Sequence, residues 1–195
     1  MSKINKTKYA LLGILSVRPG SGYDIKKRCD YSISHFWNEN YAHIYPVLKT
    51  MENEGLVVKE TEQSPGRPPK NIYSITEKGK EELNEWLLKP VEETPARSEF
   101  LLKLFFSSRI PLDKTIERLT DGMEKAKKEL EELVKTEEAL TSDEQLKNNE
   151  SFPMWLATLR YGKYSAEAGI RWCEETISML LERKNRSQNE GDEKE

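Results

Sequence analysis

The chain has 195 residues, of which 36% are hydrophobic and 33% are charged, and its formal net charge is −3. Its length predicts one domain or two small ones, and its clustered, periodic apolar residues exclude wholesale disorder. No apolar run approaches the roughly 20 residues that span a bilayer. The apolar run near the start lacks a small-residue cleavage site, so a soluble, cytoplasmic protein is expected.

The two halves of the chain differ in charge. Up to Pro90 there are 14 Lys and Arg against 11 Asp and Glu, a balance of +3, whereas the remainder has 17 against 23, a balance of −6. A basic first part followed by an acidic second part indicates an anionic partner for the first part. An imbalance this small also arises by chance, so the residue pattern has to decide.

Two short helices are predicted at the start of the chain. Apolar residues between positions 9 and 15 favour the first helix, which a Pro-Gly pair ends. Ser21 stands at the N-cap of a second helix, expected from Gly22 to about Ser34, where its hydroxyl accepts from free backbone N–H groups. In this helix Tyr23 and Ile25 are expected to pack inward and the cations at 26–28 to point into solvent.

A third helix, from about Tyr41 to Glu54, is predicted by apolar residues at the spacing of one buried face. These residues are Ile44, Val47, Leu48 and Met51. Gly55 is the expected left-handed stop. In the turn before this helix, Phe36 and Trp37 are assigned to the core with the buried face.

Two β-rich segments, 56–61 and 71–76, predict a hairpin with a turn-rich, basic tip. Thr76 then caps a fourth helix that ends near Pro90. Three helices, a hairpin and a further helix in this order describe a winged helix-turn-helix, in which the third helix reads a DNA groove.

The predicted DNA contacts lie on the second helix, around the start of the third helix and in the hairpin. Asn matches an adenine edge and the Ala methyl suits thymine, whereas cations contact phosphates or enter a minor groove. The free N–H groups at Ser21 are expected to bind an anion. The predicted DNA-binding residues are Ser21, Gly22, Tyr23, Lys26, Asn38, Asn40, Tyr41, Ala42, His43, Tyr45, Lys49, Arg67, Pro68 and Lys70. Alternatively, the tyrosines are packed rings and the hairpin tip is an ordinary solvated turn.

Residues 91–184 are expected to form a helical dimerisation and effector domain, and 185–195 a disordered charged tail. A short helix, 97–108, comes first. Two long helices with heptad seams, which only Glu137 and Lys163 interrupt, then fold back on each other as a coiled-coil-like hairpin. A polar loop, from Thr141 to Ser151, joins these two helices.

Each long helix is too apolar to be covered by one partner, so a second copy of the chain is expected to supply the remaining contact. The predicted dimerisation residues are Leu156, Leu159, Ala166, Ile170, Cys173, Ile177 and Leu180. A dimer places two reading heads about 34 Å apart, the spacing of successive major-groove faces of a palindrome. The alternative is a three-helix bundle within a monomer.

Several motifs of the first half closely resemble the PadR transcriptional regulators. They are Ala10–Leu15, Ser21–Ile25, Phe36-Trp37, Ile44–Leu48, Glu54–Val57, Gly66–Pro68 and Tyr73–Gly79. These motifs cover nearly the whole first half in the right order, and Glu99–Lys103 is similar to the longer type of that family. The resemblance implies a dimeric repressor that a small aromatic effector, such as a phenolic acid, releases from a palindromic operator. The identity of the effector does not carry over.

An effector pocket is expected where the winged domain and the helical domain adjoin. Its predicted walls are Phe100, Leu104, Trp155 and Tyr161, with Arg160 placed to pair an effector carboxylate. Aromatic residues at helical spacing are also typical of an ordinary core.

An enzyme is not expected, and neither a cofactor nor a metal site is predicted. His35, Glu39 and His43 have a spacing that suits a metal on one continuous helix, but the predicted turn between them interrupts that helix. No glycine-rich phosphate loop occurs, and Cys29 and Cys173 are expected to be packed thiols. The remaining alternative is a winged-helix module that binds a protein instead of DNA; the basic hairpin tip favours DNA.

Overall fold

The structure is a computed structural model that describes residues 6–37, 41–63, 66, 69–93 and 97–192. Within these ranges the side chains of Tyr41 and of residues 187–192 are not described. The chain divides into two compact units, Met1–Glu93 and Thr94–Glu195. The predicted fold class, mainly helical with one small β-hairpin, is confirmed.

The first unit is a winged helix-turn-helix. Its elements are α1 (Lys6–Val17), α2 (Gly22–Ser32), α3 (Tyr41–Asn53), β1 (Val57–Glu62), β2 (Lys70–Ile75) and α4 (Glu77–Leu87). The order is the predicted one, and the bounds of α3 and of both strands lie within one residue of the predicted bounds.

One hydrophobic core holds these elements together, because each helix turns an apolar stripe inward. Its side chains at 0–1% exposure are Leu11, Leu12, Leu15, Ile25, Cys29, Ile44, Leu48 and Met51. Tyr9 of α1 stacks on Trp86 of α4, with ring centroids 4.4 Å apart, and so attaches α4 to the side of α1. The core therefore fixes which side of α3 remains in solvent.

The wing is an antiparallel pair of strands in which Val57 pairs with Ile75 and Glu62 with Lys70. The turn before α2 joins this sheet, since Gly20 and Tyr73 exchange two backbone hydrogen bonds of 3.1 and 2.9 Å. The backbone thus attaches the base of the wing to the start of α2.

Two predictions for the first unit are wrong. Phe36 is 49% exposed and Trp37 is half-buried, because the turn after Ser32 leaves both rings at the surface of the unit, where Phe36 packs edge-to-face on His35. Within α2, Ile25 is buried but Tyr23 is 59% exposed. A residue two positions before Ile25 lies on the opposite side of the helix.

The second unit is a long helical hairpin with a short helix before it. Its elements are α5 (Glu99–Phe105), a 3₁₀ turn (Ser107–Arg109), α6 (Leu112–Ser142), α7 (Glu144–Lys147) and α8 (Phe152–Asp192). The two long helices are antiparallel, because Asp113 at the start of α6 pairs with Lys184 near the end of α8 at 2.5 Å.

Two details of this unit differ from the predictions. The segment expected to be a polar loop contains a turn of helix, α7, which Asp143 caps. The segment expected to be a disordered tail is helical up to Asp192, since extending an existing helix costs far less than nucleating one. Within the part of the chain that the structure describes, no helix is both long and apolar enough to cross a membrane.

Gly79 tests how closely α4 packs on the wing. A Cβ at this position would lie 2.2 Å from the backbone oxygen of Leu56. We expect Gly79→Ala to lower the free energy of unfolding by about 1–3 kcal/mol, because the backbone has to shift. Gly13 is the matched control, since a Cβ there meets nothing within 4 Å, and Gly13→Ala is expected to be neutral or stabilising by up to about 1 kcal/mol. Equal effects of the two substitutions in urea unfolding would contradict this packing.

Candidate nucleic-acid interface

The solvent side of α3 carries several of the residues predicted to contact DNA. Ala42, His43, Tyr45 and Lys49 are exposed there, and the Tyr45 ring is 52% exposed. Tyr41 begins the helix, but its side chain is not described. Asn38, Asn40, Arg67 and Pro68 lie outside the described residues.

The start of α2 packs directly against this side of α3. A Cβ at Gly22 would lie 2.6 Å from Cε1 of Tyr45, so only a residue without a side chain leaves room for the ring. Tyr23, the next residue, is 59% exposed. The absence of a side chain at Gly22 therefore lets the start of α2 lie directly against Tyr45 of α3.

A capping box closes the N-terminus of α2. The Ser21 hydroxyl accepts from the backbone N–H of Asp24 at 3.2 Å, and Asp24 Oδ2 accepts from the backbone N–H and the hydroxyl of Ser21 at 3.0 and 2.7 Å. The residues thus satisfy some of the free N–H groups of the helix themselves. The predicted anion site at Ser21 is therefore adjacent to a carboxylate.

The same carboxylate binds the wing. Lys70, the first residue of β2, places its Nζ 2.9 Å from Asp24 Oδ2. The Lys70 ammonium and the hydrogen bonds from Ser21 hold the pKa of the Asp24 carboxyl far below its usual range. Lys70 was predicted as a phosphate contact, and in the free protein its partner is Asp24.

Arg28 closes the turn between α1 and α2. Its guanidinium donates to the backbone oxygens of Arg18 and Pro19 at 2.6 and 2.7 Å. A Cβ at Gly20 would lie 2.1 Å from Nη2 of Arg28, so the turn passes directly over the guanidinium. The guanidinium of Arg28, on α2, therefore holds in place the turn that pairs with the wing.

Glu52 connects α3 to the other strand of the wing. Its carboxylate pairs with Lys49 at 3.2 Å and with Lys59 of β1 at 3.3 Å. Hydrogen bonds from these two lysines lower the pKa of Glu52. Lys49 is exposed, as a phosphate contact requires, and is oriented by its carboxylate partner.

Lys26 does not match its prediction. It was expected to point into solvent, but it is 9% exposed and pairs with Asp30 one turn along α2. It follows Ile25 and precedes Cys29 by three residues, so its stem covers the edge of the core. A phosphate contact by this side chain is therefore not supported.

Sequence reasoning missed Asp24, Arg28 and Glu52. A Ser followed three residues later by an acidic residue is the pattern of a capping box, so the pair of Ser21 and Asp24 was open to prediction. No local pattern points to Arg28 or Glu52, because their partners lie in other elements.

The five residues of the predicted effector pocket do not come together within the second unit. Phe100 of α5 packs edge-to-face on Trp172 of α8, with centroids 5.9 Å apart. Trp155 precedes Trp172 by 17 residues on the same helix, which is about 25 Å along its axis. Phe100 and Leu104 are thus far from Trp155, Arg160 and Tyr161 within this unit, and a single pocket formed by all five is wrong.

Arg160 has a partner inside the chain. It donates to Glu137 of α6 at 2.8 Å, and Lys163 pairs with the same carboxylate. The hydrogen bonds from Lys163 and Arg160 lower the pKa of Glu137. The two residues that interrupt the heptad seams therefore neutralise each other across the hairpin.

An open concavity of about 300 Å³ lies beside α5 instead. Its lining residues are Leu102, Lys103, Phe106, Ser107, Ile110 and Arg118. Lys103 pairs with Glu99 at 2.5 Å. Arg118 of α6 is half-buried and lines this concavity beside the apolar side chains of Leu102, Phe106 and Ile110.

The predicted dimerisation seam faces the chain's own hairpin. Leu159, Ala166 and Cys173 are 4–7% exposed and pack in the hairpin with Leu119 and Leu133 of α6. For these three residues the expectation of contact with a second copy is corrected. The other predicted dimerisation residues, Leu156, Ile170, Ile177 and Leu180, are half-buried.

A different stripe of α8 is left in solvent. Its large side chains are 37–68% exposed, and they are Met154, Tyr161, Tyr164, Trp172 and Met179. Their spacing of three, seven and eight residues places them opposite the seam. This outer stripe makes α8 apolar on two sides, which the heptad pattern alone did not separate.

The family comparison agrees with both units. Residues 11–85 match the PadR-like transcriptional regulator family, and residues 96–180 match the family described as virulence activator alpha C-term. The negative transcriptional regulator PadR of Bacillus subtilis is 28% identical over 183 residues, which cover 89% of this chain and 96% of that protein.

Three solved proteins share the fold along nearly their whole length. Bacillus subtilis PadR in complex with operator DNA gives a TM-score of 0.75 at 30% identity, covering 89% of this chain and 98% of that one. Its complex with p-coumaric acid gives 0.69 at 30% identity, with 89% and 97% covered. The protein smu.1604c of Streptococcus mutans UA159 gives 0.76 at 32% identity, with 88% and 98% covered. The virulence activator AphA of Vibrio cholerae gives 0.71 at 27% identity, with 90% and 98% covered.

A winged helix-turn-helix with one side of α3 in solvent, followed by a helical hairpin, defines a winged-helix regulator of transcription. Among the residues that the structure describes, no group of three or more His, Cys, Asp or Glu side chains is placed to hold a metal ion. The chain belongs to the PadR-like family of transcriptional regulators, which are DNA-binding regulators and not enzymes.

Glu137 tests the pairing across the hairpin. We expect Glu137→Gln to lower the free energy of unfolding by about 1–3 kcal/mol at neutral pH, because Lys163 loses its partner in a largely buried position. Since the folded pKa of Glu137 is lowered, this contribution is present above the unfolded pKa of about 4.5 and is lost as the pH falls below it. Urea unfolding at fixed protein concentration, at neutral pH and near pH 4, measures both values.

Glu131→Gln, at an exposed position of α6, is the matched control and is expected to change the stability little at either pH. A Glu137→Gln effect that matches the control at neutral pH, or that grows on acidification, would contradict the role of this pair.

Proposed function

We propose that the protein is a homodimeric repressor that binds a palindromic operator through α3 and leaves it when a small aromatic acid binds. The observation that carries the proposal is the solvent side of α3. It presents Ala42, His43, Tyr45 and Lys49 beside Tyr23, while its other side is fully buried. A helix held in this way fits a major groove, where a rigid element places donors and methyl groups against base edges.

The relatives support a DNA partner. Bacillus subtilis PadR carries the name of a negative regulator and was crystallised with operator DNA. Arg67 and Pro68 at the wing tip, and Asn38 and Asn40 before α3, stay proposed DNA contacts on sequence grounds alone. In the first unit, Lys49 and Lys70 are exposed and supply cations for the backbone.

Dimerisation is proposed through apolar surfaces of the second unit that the single chain leaves in solvent. One is the outer stripe of α8 defined above. The other is α5 with its flanking turn, where Leu101, Leu102, Phe105 and Phe106 are 52–81% exposed. Adjacent large apolar side chains that are exposed to solvent mark an interaction site. A second copy of the chain offers the same surfaces for a two-fold contact.

An aromatic carboxylic acid is the proposed effector class. The support is the complex of Bacillus subtilis PadR with p-coumaric acid, together with the concavity beside α5 in this chain. Leu102 and Phe106 offer apolar walls there, and Arg118 offers a cation for a carboxylate. An effector acts by binding the DNA-bound and free dimers with different affinities.

The alternative, a winged-helix module that binds a protein through apolar contacts, differs in its salt dependence. Binding to DNA releases counterions and weakens steeply between low and moderate salt, whereas an apolar protein contact changes little. The pairing of Lys49 with Glu52 leaves the Lys49 side chain 65% exposed, where a phosphate reaches it.

Operator binding is tested with the DNA upstream of the protein's own gene. We expect a salt-dependent complex, and we expect Lys49→Gln to weaken it on every duplex and to reduce the salt slope of the dimer by about two, one for each subunit. Tyr45→Phe keeps the ring over Gly22 and is expected to weaken binding to the upstream DNA more than to a scrambled duplex. Fluorescence anisotropy over a salt series measures these affinities.

Lys80→Gln is the matched control, since Lys80 is an exposed lysine of α4 paired with Glu77, and it is expected to leave the affinity unchanged. In the same assay a panel of small aromatic acids is added, of which at least one is expected to dissociate the complex. A protein that ignores all upstream DNA in dilute buffer contradicts DNA binding, and a complex that no aromatic acid changes contradicts the effector.

The dimer is tested at the outer stripe. Tyr161 is 68% exposed in the single chain, so Tyr161→Glu leaves the fold intact but places an unpaired charge in the proposed interface. We expect the dimer dissociation constant to rise by at least about 100-fold. Sedimentation velocity measures it, with Ser178→Glu, at an exposed position off the stripe, as the matched control. A dimer that tolerates both substitutions equally excludes this surface.

A further inference from the structure

The start of α2 carries an acidic side chain among residues proposed to contact DNA. Asp24 lies one residue from Tyr23, and the ring of Tyr45 packs over Gly22 in the same first turn of α2. A phosphate that approaches the free backbone N–H groups at the start of α2 also approaches the charge of Asp24. In a surface that binds a polyanion, a carboxylate weakens binding unless it has a separate role.

Its position and its charge are both fixed. One oxygen, Oδ2, accepts from the backbone N–H and the hydroxyl of Ser21 and also from Nζ of Lys70. These contacts lower the pKa of the carboxyl, so Asp24 remains an anion at neutral pH. The hydrogen bonds from Ser21 orient the carboxylate, and the Lys70 ammonium contacts it from the wing.

Lys70 is therefore engaged before DNA arrives. Its Nζ lies 2.9 Å from Asp24 Oδ2, and the two side chains are 50% and 32% exposed. A carboxylate oxygen and a phosphate oxygen are alternative acceptors for one ammonium group. Ion pairs this exposed are weak, so a phosphate held close to Lys70 can displace Asp24.

We propose that Asp24 is a specificity-determining residue, because its carboxylate competes with DNA phosphates for Lys70 and withholds that cation from DNA of arbitrary sequence. On the operator, base contacts of α3 hold the duplex in place and keep a phosphate near the wing at high effective concentration. On other DNA nothing holds the phosphate there, and Lys70 stays with Asp24. This inference rests on the proposed DNA binding.

The other strand of the wing also carries a lysine that pairs with a carboxylate. Lys59 of β1 pairs with Glu52, which also holds Lys49. Each strand of the wing is thus connected to the helix-turn-helix through a carboxylate. Of these carboxylates, Asp24 is the one at the start of α2, next to Tyr23.

The experiment compares Asp24→Asn, Lys70→Gln and the double variant by fluorescence anisotropy over a salt series. The probes are the upstream duplex and a scrambled duplex of equal length and composition. We expect Asp24→Asn, which keeps an acceptor for the Ser21 N–H, to bind the scrambled duplex about tenfold tighter at low salt and the upstream duplex about twofold tighter. The salt slope of the dimer on the scrambled duplex is expected to steepen by about two, one for each subunit.

Substitution of Lys70 tests the proposal without changing the capping box of Ser21 and Asp24. In the otherwise unchanged protein, Lys70→Gln is expected to alter binding to the scrambled duplex little, because its cation is already taken. In the Asp24→Asn protein the same change is expected to remove most of the gain. Glu117→Gln, which removes one charge from an exposed ion pair with Lys114 on α6, is the matched control and is expected to leave both affinities unchanged.

The outcomes separate the two proposals. If the unchanged protein binds neither duplex at low salt, the proposed function fails and this inference fails with it. If it binds DNA but Asp24→Asn binds the scrambled duplex no tighter, or if the gain persists without Lys70, the competition is excluded while DNA binding stands. If Asp24→Asn unfolds, a large loss of scrambled-DNA binding by Lys70→Gln alone overturns the proposal, and an unchanged affinity supports it.

Discussion

Burial of one side of α3 determines which of its side chains reach a partner. Ile44, Leu48 and Met51 are fully buried against α1 and α2. Turning the helix so that Tyr45 or Lys49 faced inward would expose these three, at roughly 1.5–3 kcal/mol for each side chain. The side of α3 that is proposed to face DNA is therefore a consequence of the core, and it is set before any nucleic acid is present.

In the second unit, too, burial of one side of a helix determines which side chains stay in solvent. α8 buries one stripe against α6, where Glu137 and Lys163 pair at the positions that interrupt the seams. A polar pair at a seam favours one register over shifted ones, because any shift separates the charges. With the register set, the outer stripe is also set, and its rings at Tyr161 and Tyr164 stay in solvent in the single chain. This regular apolar surface along a 41-residue helix is the one proposed above as a dimer contact.

Periodicity predicted the helices and strands well, because a buried face imposes its spacing on the residues that form it. It predicted partners across elements poorly. The interruptions at Glu137 and Lys163 were visible in the sequence. Their pairing, however, depends on the register of the hairpin that brings together two residues 26 positions apart in the chain. For the same reason Arg160 was taken for an effector contact. Phe36 was wrongly assigned to the core because apolar character alone does not say which side of a turn is buried, whereas the cap role of Asp24 follows a local pattern that sequence reasoning can use.

The wing shows why charge matters more here than apolar packing. In β1 only Val57, at its base, is buried, and the strand beyond it is exposed. The outer part of the wing thus has little core to hold it, and what connects it to the helices is the backbone pairing at Gly20 and the ion pairs of Lys59 and Lys70. Such exposed pairs are weak and are screened by salt. On the proposal above, the contacts that orient the wing in the free protein are the ones that a DNA backbone rearranges, while the core beneath α3 stays as it is.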